Sequence, residues 1–355
     1  MNLKNAHKIP HASFRLNGES YNLESIKALA YNWIKEGSDN EKHLGEFILF
    51  WTDDSHTLKL ETSGTTALPS KVTRSKSSFI HSAQTTGSYF DLGPGQSALC
   101  CLPFSYIAAK MMFVRAWVLG LELDFIEPSS NPLSSNFKSY DFSAMVPLQV
   151  QNSISNLDQI QTLLVGGAPV SESLRGRLKG SSTAIFETYG MTETVSHIAV
   201  KNLSLGETAF STLSGISVEV DQNDRLIVYA PKLNSKPLQT NDVVALTSKH
   251  SFVWLGRFDH VINSGGIKIF PEQLENRLRN QIKNRFFITA IPDNILGQKT
   301  ILIIEGDPTE QKLDMRHIDS KMRPKEIHYT PQFFQTNSGK IKRQMTLDSL
   351  NLNDS

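Results

Sequence analysis

The chain has 355 residues, of which 36 are Lys or Arg and 35 are Asp or Glu, so its formal net charge is only +1. This balance argues against a dedicated binder of nucleic acid or another polyanion. Hydrophobic residues make up 39% of the chain and charged residues 20%, which excludes a disordered chain and allows a sizeable core.

Membrane insertion and an oxidising compartment are not expected. The most apolar stretch, 107–126, contains four charged residues and is therefore a poor membrane span. The two cysteines, Cys100 and Cys101, are adjacent, and neighbours in a strand point to opposite faces, which disfavours a disulfide. These features predict a cytoplasmic α/β enzyme.

Apolar runs and helical periodicity alternate along most of the chain. Strands are predicted at 56–62, 97–103, 121–128, 161–167 and 183–190, and a helix at 106–119. Strands separated by helices imply a mostly parallel sheet with ligand-binding loops at the strand ends. Two alternating runs in 216–231 flank Gln222-Asn223-Asp224 and predict a β-hairpin.

A domain boundary is predicted just after Arg257, so that 1–258 and 259–355 form a large and a small domain. The small α+β domain is expected to contain a strand at 260–263, a glycine pair, a strand at 300–306 and a helical run near 309–322. Its main helix should begin with Pro271 and bury Leu274, Leu278 and Ile282 on one face.

The segment 62–71, TSGTTALPSK, follows the first predicted strand. Its hydroxyls, exposed backbone N–H groups and nearby cation suit an anionic polyphosphate. A surface loop that is merely rich in Ser and Thr is the alternative.

The segment 187–194, ETYGMTET, follows another apolar strand. The ring of Tyr189 could lie on a purine, Gly190 allows close backbone approach, and Glu193 offers a hard oxygen ligand for Mg²⁺. The alternative is a strand end with an exposed acid.

Two further segments lie at and beyond the predicted boundary. Arg257 and Asp259 could serve a sugar hydroxyl and a hinge, whereas a charged linker is the alternative. Gly265-Gly266 permits torsions that are closed to other residues. Lys340, on the Gly-containing loop 335–343, could reach a remote active site, although basic C-terminal stretches are usually solvated surface.

These four segments, in this order, resemble the AMP-forming acyl-CoA synthetase, luciferase and nonribosomal peptide adenylation superfamily. The resemblance extends over about 58–343. It implies a large N-terminal adenylate-forming domain, shortened before the phosphate loop, and a small mobile C-terminal domain. It also implies ATP, Mg²⁺ and CoA as cofactor or co-substrates and a small-molecule carboxylate as the acid, and it leaves a homodimer open.

The resemblance assigns roles to individual residues. Lys340 and Glu193 are implied to be catalytic, with Glu193 the Mg²⁺ ligand, Asp259 the hinge, and Gly265 and Gly266 the border of the CoA tunnel. The implied ATP-binding residues are Ser63, Gly64, Thr65, Thr66, Lys71, Gly166, Gly167, Ala168, Thr188, Tyr189, Gly190, Thr192, Asp242 and Arg257. Ser70 stands where the superfamily carries a phosphate-loop lysine, and Lys71 is the candidate to replace it.

Within the superfamily, Val146-Pro147-Leu148-Gln149 resembles a segment of the o-succinylbenzoate–CoA ligases of menaquinone biosynthesis. This resemblance implies conversion of o-succinylbenzoate to its CoA thioester through an acyl-adenylate. The alternatives are an adenylating enzyme that loads another acid onto a carrier protein, and a non-catalytic nucleotide-binding protein.

Overall fold

The computed structural model describes residues 6–61, 71–134, 138–308, 313–336 and 340–352. The helices are α1 (Leu23–Glu36), α2 (Asp39–Thr52), α3 (Lys76–Phe90), α4 (Ile107–Leu119), α5 (Pro147–Asn152), α6 (Glu172–Leu178), α7 (Pro271–Leu278) and α8 (Arg343–Asp348). The strands are β1 (Arg15–Leu16), β2 (Thr57–Glu61), β3 (Lys71–Ser75), β4 (Ser97–Cys100), β5 (Glu122–Phe125), β6 (Tyr140–Met145), β7 (Ile160–Val165), β8 (Ala184–Gly190), β9 (His197–Asn202), β10 (Phe210–Thr212), β11 (Ser217–Val220), β12 (Arg225–Tyr229), β13 (Leu238–Ser248), β14 (Ser251–Arg257), β15 (Ile262–Ser264), β16 (Ile267–Ile269), β17 (Phe286–Asp293), β18 (Gly297–Glu305) and β19 (Glu326–Thr330).

Twelve strands form one large sheet in the order β1-β5-β4-β6-β7-β8-β9-β10-β14-β13-β12-β11. The expected α/β architecture is confirmed, but the sheet is parallel only from β1 to β8. From β8 onward every pairing is antiparallel, because short turns such as the predicted hairpin β11–β12 replace helical crossovers. The expectation of a mostly parallel sheet was therefore right for half of the strands.

Helices α1 to α4 cover one face of the parallel half. Asn22 and Ser38 cap α1 and α2 through their side chains, and both helices carry capping boxes. Aromatic residues fill the core between these helices and the sheet, among them Trp51, Phe113 and Trp117, all fully buried. The part of the chain before the first predicted strand is thus an integral part of this core.

The two cysteines behave as their adjacency predicts. Cys100 belongs to the core under α1 to α4, whereas Cys101 belongs to a second core on the opposite face, with Leu163 and Val165 of β7. Both thiols are free, and burial raises the pKa of Cys100 to about 12. Neither thiol is therefore a reactive group at neutral pH.

A separate sheet begins beyond Arg257. Strands β16, β15, β18 and β17 are antiparallel neighbours, and β19 adds to β18 in parallel. The strand predicted at 260–263 begins two residues later, because Phe258–His260 form a 3-10 turn. The glycine pair forms the β15–β16 turn, with φ of +56° at Gly265 and +79° at Gly266, which only glycine adopts freely.

Two helix predictions for this region need correction. Helix α7 begins at Pro271 as expected but ends at Leu278, so Ile282 packs into the core from the turn that follows. The helical run near 309–322 is wrong for 313–322, which form turns, and 309–312 lie outside the described residues. The carboxylates of Asp314 and Asp319 accept bonds from backbone N–H groups two residues on, and such local bonds compete with helix formation.

Helix α7 contacts both sheets. Its Gln273 side-chain amide donates to the backbone carbonyls of Trp254 (3.2 Å) and Leu255 (2.9 Å) in β14, and Asn276 Oδ1 accepts from the backbone N–H of Glu172 (3.3 Å) in α6. Within the residues described, no helix has the length and apolarity to cross a membrane.

Candidate active site

The carboxyl ends of three neighbouring parallel strands carry several of the predicted site residues. Strands β6, β7 and β8 pair in parallel in that order, so their ends lie at one edge of the sheet. Val146 follows β6 closely, Gly166 follows β7, and Gly190 ends β8. Open α/β sheets bind their ligands at this edge, which makes it the candidate active site.

The Gly166-Gly167-Ala168 loop lies directly against β8. A Cβ on Gly166 would fall 2.4 Å from Thr188 Oγ1, so only glycine fits here without a shift. The Thr188 hydroxyl donates to the Val165 carbonyl at 3.2 Å and thereby joins the ends of β7 and β8. Gly167, with φ of +82°, and Ala168 are exposed, which leaves their backbone open to a ligand.

Tyr189 and Asp242, both predicted to bind ATP, are in direct contact. The Tyr189 hydroxyl donates to Asp242 Oδ2 at 2.7 Å, and the indole N–H of Trp254 donates to Oδ1 at 3.1 Å. Burial and the nearby Asp242 carboxylate hold the pKa of Tyr189 well above its usual range, so the phenol stays protonated and remains a donor. One edge of the Tyr189 ring packs on Phe252, with centroids 5.1 Å apart.

Glu193 lies in a 3-10 turn, Thr192–Thr194, that is held from two sides. Its backbone carbonyl accepts from Arg74 Nε (3.0 Å) and from Asn234 Nδ2 (3.1 Å). The turn ends at Val195, whose φ of +67° is unusual for a β-branched residue and marks local strain. Within the described part of the chain, no hydrogen bond or ion pair engages the half-exposed Glu193 carboxylate, so this hard oxygen group fits a Mg²⁺ ion.

Arg257, the last residue of β14, pairs with an acidic residue of the 3-10 turn that follows. It lies opposite Asp242 in the β13–β14 ladder, and its guanidinium donates to both carboxylate oxygens of Asp259 at 3.2 and 3.3 Å. Burial raises the pKa of Asp259, but the Arg257 ion pair outweighs burial and holds that pKa below its usual value. Arg257, the predicted sugar contact, is therefore paired directly with Asp259, the predicted hinge residue.

The remaining predicted residues lie elsewhere or outside the description. Lys340 is exposed beyond the second sheet, where its backbone N–H donates to Thr336 Oγ1 at 3.1 Å. Gly265 and Gly266 are exposed at the β15–β16 turn. Ser63, Gly64, Thr65 and Thr66 lie outside the described residues, and for Lys71 only the backbone, at the start of β3, is described.

Sequence reasoning missed a buried cation beside the site. Arg115, in α4, has a side chain that is 2% exposed, and its Nη2 donates to Ser196 Oγ at 2.8 Å and lies 3.4 Å from His197 Nδ1. Among the described residues no carboxylate pairs with Arg115, and its Nε has no hydrogen-bond partner. The signal in the sequence was a charged residue within the apolar run of α4, one of the four charges that argue against a membrane span.

The Arg115 cluster is electrostatically unusual. Burial lowers the pKa of the Arg115 guanidinium to about 10, so Arg115 remains charged at neutral pH. Burial and the Arg115 charge together hold the pKa of His197 well below its usual range, so this imidazole is neutral. His197 also lines a cleft with Ser82, Thr85 and Leu213. The cluster thus holds one buried positive charge beside a neutral imidazole.

A second missed group is the buried carboxylate of Glu187 in β8. It forms ion pairs of 2.9 Å with both Arg175 and Lys201. These ion pairs connect β8, which carries Thr188 and Tyr189, to α6 on one side and to β9 on the other. They therefore fix the position of β8.

The Val-Pro-x-Gln segment has a structural role. The Gln149 side chain accepts from the Val146 N–H at 3.1 Å and donates to the carbonyls of Cys101 and Ser129, both at 2.9 Å. Gln149 therefore braces the ends of β4 and β6. The segment therefore fixes the geometry of the strand ends.

Comparison with known proteins places this geometry in a family. The AMP-binding enzyme family matches residues 60–220. A crystal structure of an acyl-CoA synthetase (AMP-forming)/AMP-acid ligase II-like protein from Dyadobacter fermentans is 34% identical, with a TM-score of 0.60, over 91% of this chain and 98% of that one. The chain belongs to the AMP-binding enzyme family.

Two other proteins are similar to the chain. A probable 2-succinylbenzoate–CoA ligase of Mycobacterium tuberculosis is 24% identical over 322 residues, which cover 82% of this chain and 84% of that protein. The Bacillus subtilis o-succinylbenzoate CoA synthetase, solved with its acyl-adenylate intermediate, shares the fold with a TM-score of 0.71 at 18% identity, over 81% of this chain and 68% of that one. The prediction of an AMP-forming enzyme fold is confirmed.

Proposed function

We propose that this member of the AMP-binding family is an ATP-dependent acid–CoA ligase that converts o-succinylbenzoate to its CoA thioester. In the first half-reaction a carboxylate oxygen attacks the α-phosphorus of ATP, and pyrophosphate leaves. In the second half-reaction the CoA thiolate attacks the acyl carbon, and AMP leaves. The name of the M. tuberculosis relative supports this choice of acid.

The residues of the first half-reaction follow from its charges. An anionic acid must approach a polyanion, so cations and hydrogen-bond donors near the transferring phosphoryl group lower the barrier. Asp242 would accept the ribose hydroxyls, because its two donors in the protein leave lone pairs on both oxygens. Lys340 would bridge the acid and the α-phosphate, and Mg²⁺ held by Glu193 would supply neutralisation of phosphate charge.

The second half-reaction requires a rearrangement. Lys340 and a pantetheine thiol would need the same space at the acyl carbon, so both cannot be present at once. We assign 1–258 and 259–355 to two domains that reorient about Asp259, with Gly265 and Gly266 bordering the CoA tunnel. The Arg257–Asp259 ion pair lies at this hinge.

The single observation that carries the substrate assignment is Arg115. A fully buried guanidinium without a carboxylate partner among the described residues is costly unless a ligand provides the anion. o-Succinylbenzoate has one carboxylate to activate and a second at its far end. Arg115, which donates to Ser196 just after the Glu193 turn, would pair with the second.

The test compares o-succinylbenzoate with 4-oxo-4-phenylbutanoate, which lacks only the ring carboxylate. Wild-type protein should prefer o-succinylbenzoate by about 100-fold in kcat/KM for ATP–pyrophosphate exchange, and Arg115→Met should remove most of that preference. Equal use of both acids by the wild type would contradict the assigned substrate. Thioester formation only with a carrier protein, and none with CoA, would favour the carrier-loading alternative.

A further inference from the structure

Arg74 is an arginine that the structure fixes to the Glu193 turn. It lies in β3, with its Nε 3.0 Å from the Glu193 carbonyl and its Nη1 3.2 Å from the carbonyl of Thr73. The side chain is half-buried. Two anchors to backbone oxygens hold the guanidinium plane beside the turn that carries the Mg²⁺-binding candidate.

The guanidinium keeps both charge and donors for another partner. Arginine has five N–H donors, and the backbone anchors use only two of them. Several other arginines are neutralised by carboxylates, for example Arg175 by Glu187 and Arg257 by Asp259. Over the residues that the structure describes, no carboxylate lies within ion-pair distance of Arg74.

The position of Arg74 identifies the kind of anion. If Glu193 holds Mg²⁺, then the phosphate oxygens that share the ion lie next to the same turn. The planar fork of arginine matches phosphate oxygens in pairs.

We propose that Arg74 is a catalytic residue that binds the pyrophosphate part of ATP and stabilises it as it leaves. This inference rests on the proposed adenylation reaction. The positive charge that neutralises the leaving pyrophosphate then comes from β3, where two backbone carbonyls hold the Arg74 guanidinium in place. Asn234 also donates to the Glu193 carbonyl, at 3.1 Å, but carries no charge. Its removal therefore tests support of the turn alone, whereas removal of Arg74 also tests neutralisation of phosphate charge.

The experiment measures dissociation constants of ATP and AMP, and pyrophosphate exchange, for wild type, Arg74→Gln, Arg74→Lys and Asn234→Ala. Arg74→Gln should weaken ATP binding by about 10- to 100-fold and leave AMP binding within about twofold. The ATP dissociation constant of Arg74→Lys should lie between those of the wild type and Arg74→Gln. Asn234→Ala should change the dissociation constants of ATP and AMP by the same factor. Equal effects of Arg74→Gln and Asn234→Ala would overturn the proposal.

A measurement on the wild type covers the case in which Arg74→Gln does not fold. An arginine-selective dicarbonyl reagent should modify Arg74, as located by mass spectrometry, and Mg-ATP or Mg-pyrophosphate should protect it whereas AMP should not. Protection by AMP to the same extent, or by no ligand, would overturn the proposal. Pyrophosphate exchange that depends on the acid is measured with unmodified wild type in parallel. If exchange occurs but Arg74 is not selectively protected, only the role of Arg74 is wrong, whereas absence of exchange contradicts the proposed function itself.

Discussion

The Tyr189 hydroxyl donates a 2.7 Å hydrogen bond to Asp242 Oδ2, and the Trp254 indole N–H binds the other oxygen of the same carboxylate. The first of these bonds joins the end of β8 to β13, in the antiparallel half of the large sheet. Asp242 is nearly buried, and the two donors hold its carboxylate in one position. A fixed carboxylate at this position suits neighbouring hydroxyls of a sugar.

Asp242→Asn tests that contact. The amide keeps the volume but replaces an acceptor by a donor, so ATP binding should weaken by about 10-fold or more. Wild-type protein should prefer ATP to 3′-deoxy-ATP in pyrophosphate exchange, and the variant should lose that preference. Trp254→Phe, which removes one donor and keeps the carboxylate, is the control and should retain it. An unchanged preference in Asp242→Asn would show that Asp242 does not contact the ribose.

Lys340→Ala separates the two half-reactions. The lysine is proposed to contact charge that develops only during adenylation, so exchange should fall by about 10²- to 10³-fold. The variant should still convert supplied acyl-adenylate and CoA to thioester at close to the wild-type rate. Lys342→Ala, two residues on, is the control for loss of a nearby charge. Adenylation by Lys340→Ala at the wild-type rate would contradict the assignment.

Asp259→Pro tests the hinge. Proline fixes φ near −65° and restricts the preceding residue, which limits torsional change at this point. Asp259→Ala is the matched control, since it also breaks the Arg257 ion pair but leaves the torsions free. We expect Asp259→Pro to impair the two half-reactions unequally, and Asp259→Ala to impair both mildly. Equal losses in both halves for the proline variant would indicate an ordinary linker.

His197 predicts how stability depends on pH. Burial and the Arg115 charge lower the pKa of His197 in the folded protein. Below about pH 6.5, therefore, His197 binds a proton in the unfolded chain but stays neutral in the folded protein. Stability should therefore fall as the pH decreases, by up to about 1.4 kcal/mol per pH unit from this residue. The free energy of unfolding in urea, measured from pH 7 to 5, should depend less on pH in His197→Gln. Burial lowers the pKa of His7 in the same direction, and this contribution is common to both proteins. Identical pH dependence in the two proteins would contradict the buried neutral imidazole.

Local sequence patterns predicted much of the fold, because the alternation and apolarity of a strand depend only on neighbouring residues. Alternation placed β2 and the β11–β12 hairpin, and apolar runs placed β4, β7 and β8, all within a few residues. The antiparallel half of the large sheet was not predicted, since strand pairing depends on partners that are distant in sequence. The helix expected near 309–322 does not form over 313–322, because Asp314 and Asp319 accept hydrogen bonds from nearby backbone N–H groups instead.

The site followed the same division. Tyr189, Glu193 and Asp242 could be named from motifs, because each motif is a short run with an unusual combination of residue types. Arg115 could not, since its importance lies in the lack of a carboxylate partner within the described fold, and a sequence does not show partners. Tyr189 and Asp242 are 53 residues apart in the chain. The sequence therefore indicated that both bind ATP, but not that they contact each other.

The most direct test of the account follows the acid's own oxygen. o-Succinylbenzoate labelled with ¹⁸O in its carboxylates, incubated with ATP, Mg²⁺, CoA and the wild-type protein, should transfer one labelled oxygen to the phosphate of each AMP, as read by mass spectrometry. Attack of a carboxylate on the α-phosphorus requires this transfer, because the bridging oxygen stays with AMP when the thiolate displaces it. Label in inorganic phosphate, with ADP as the nucleotide product, or thioester formation with unlabelled AMP would contradict an acyl-adenylate mechanism.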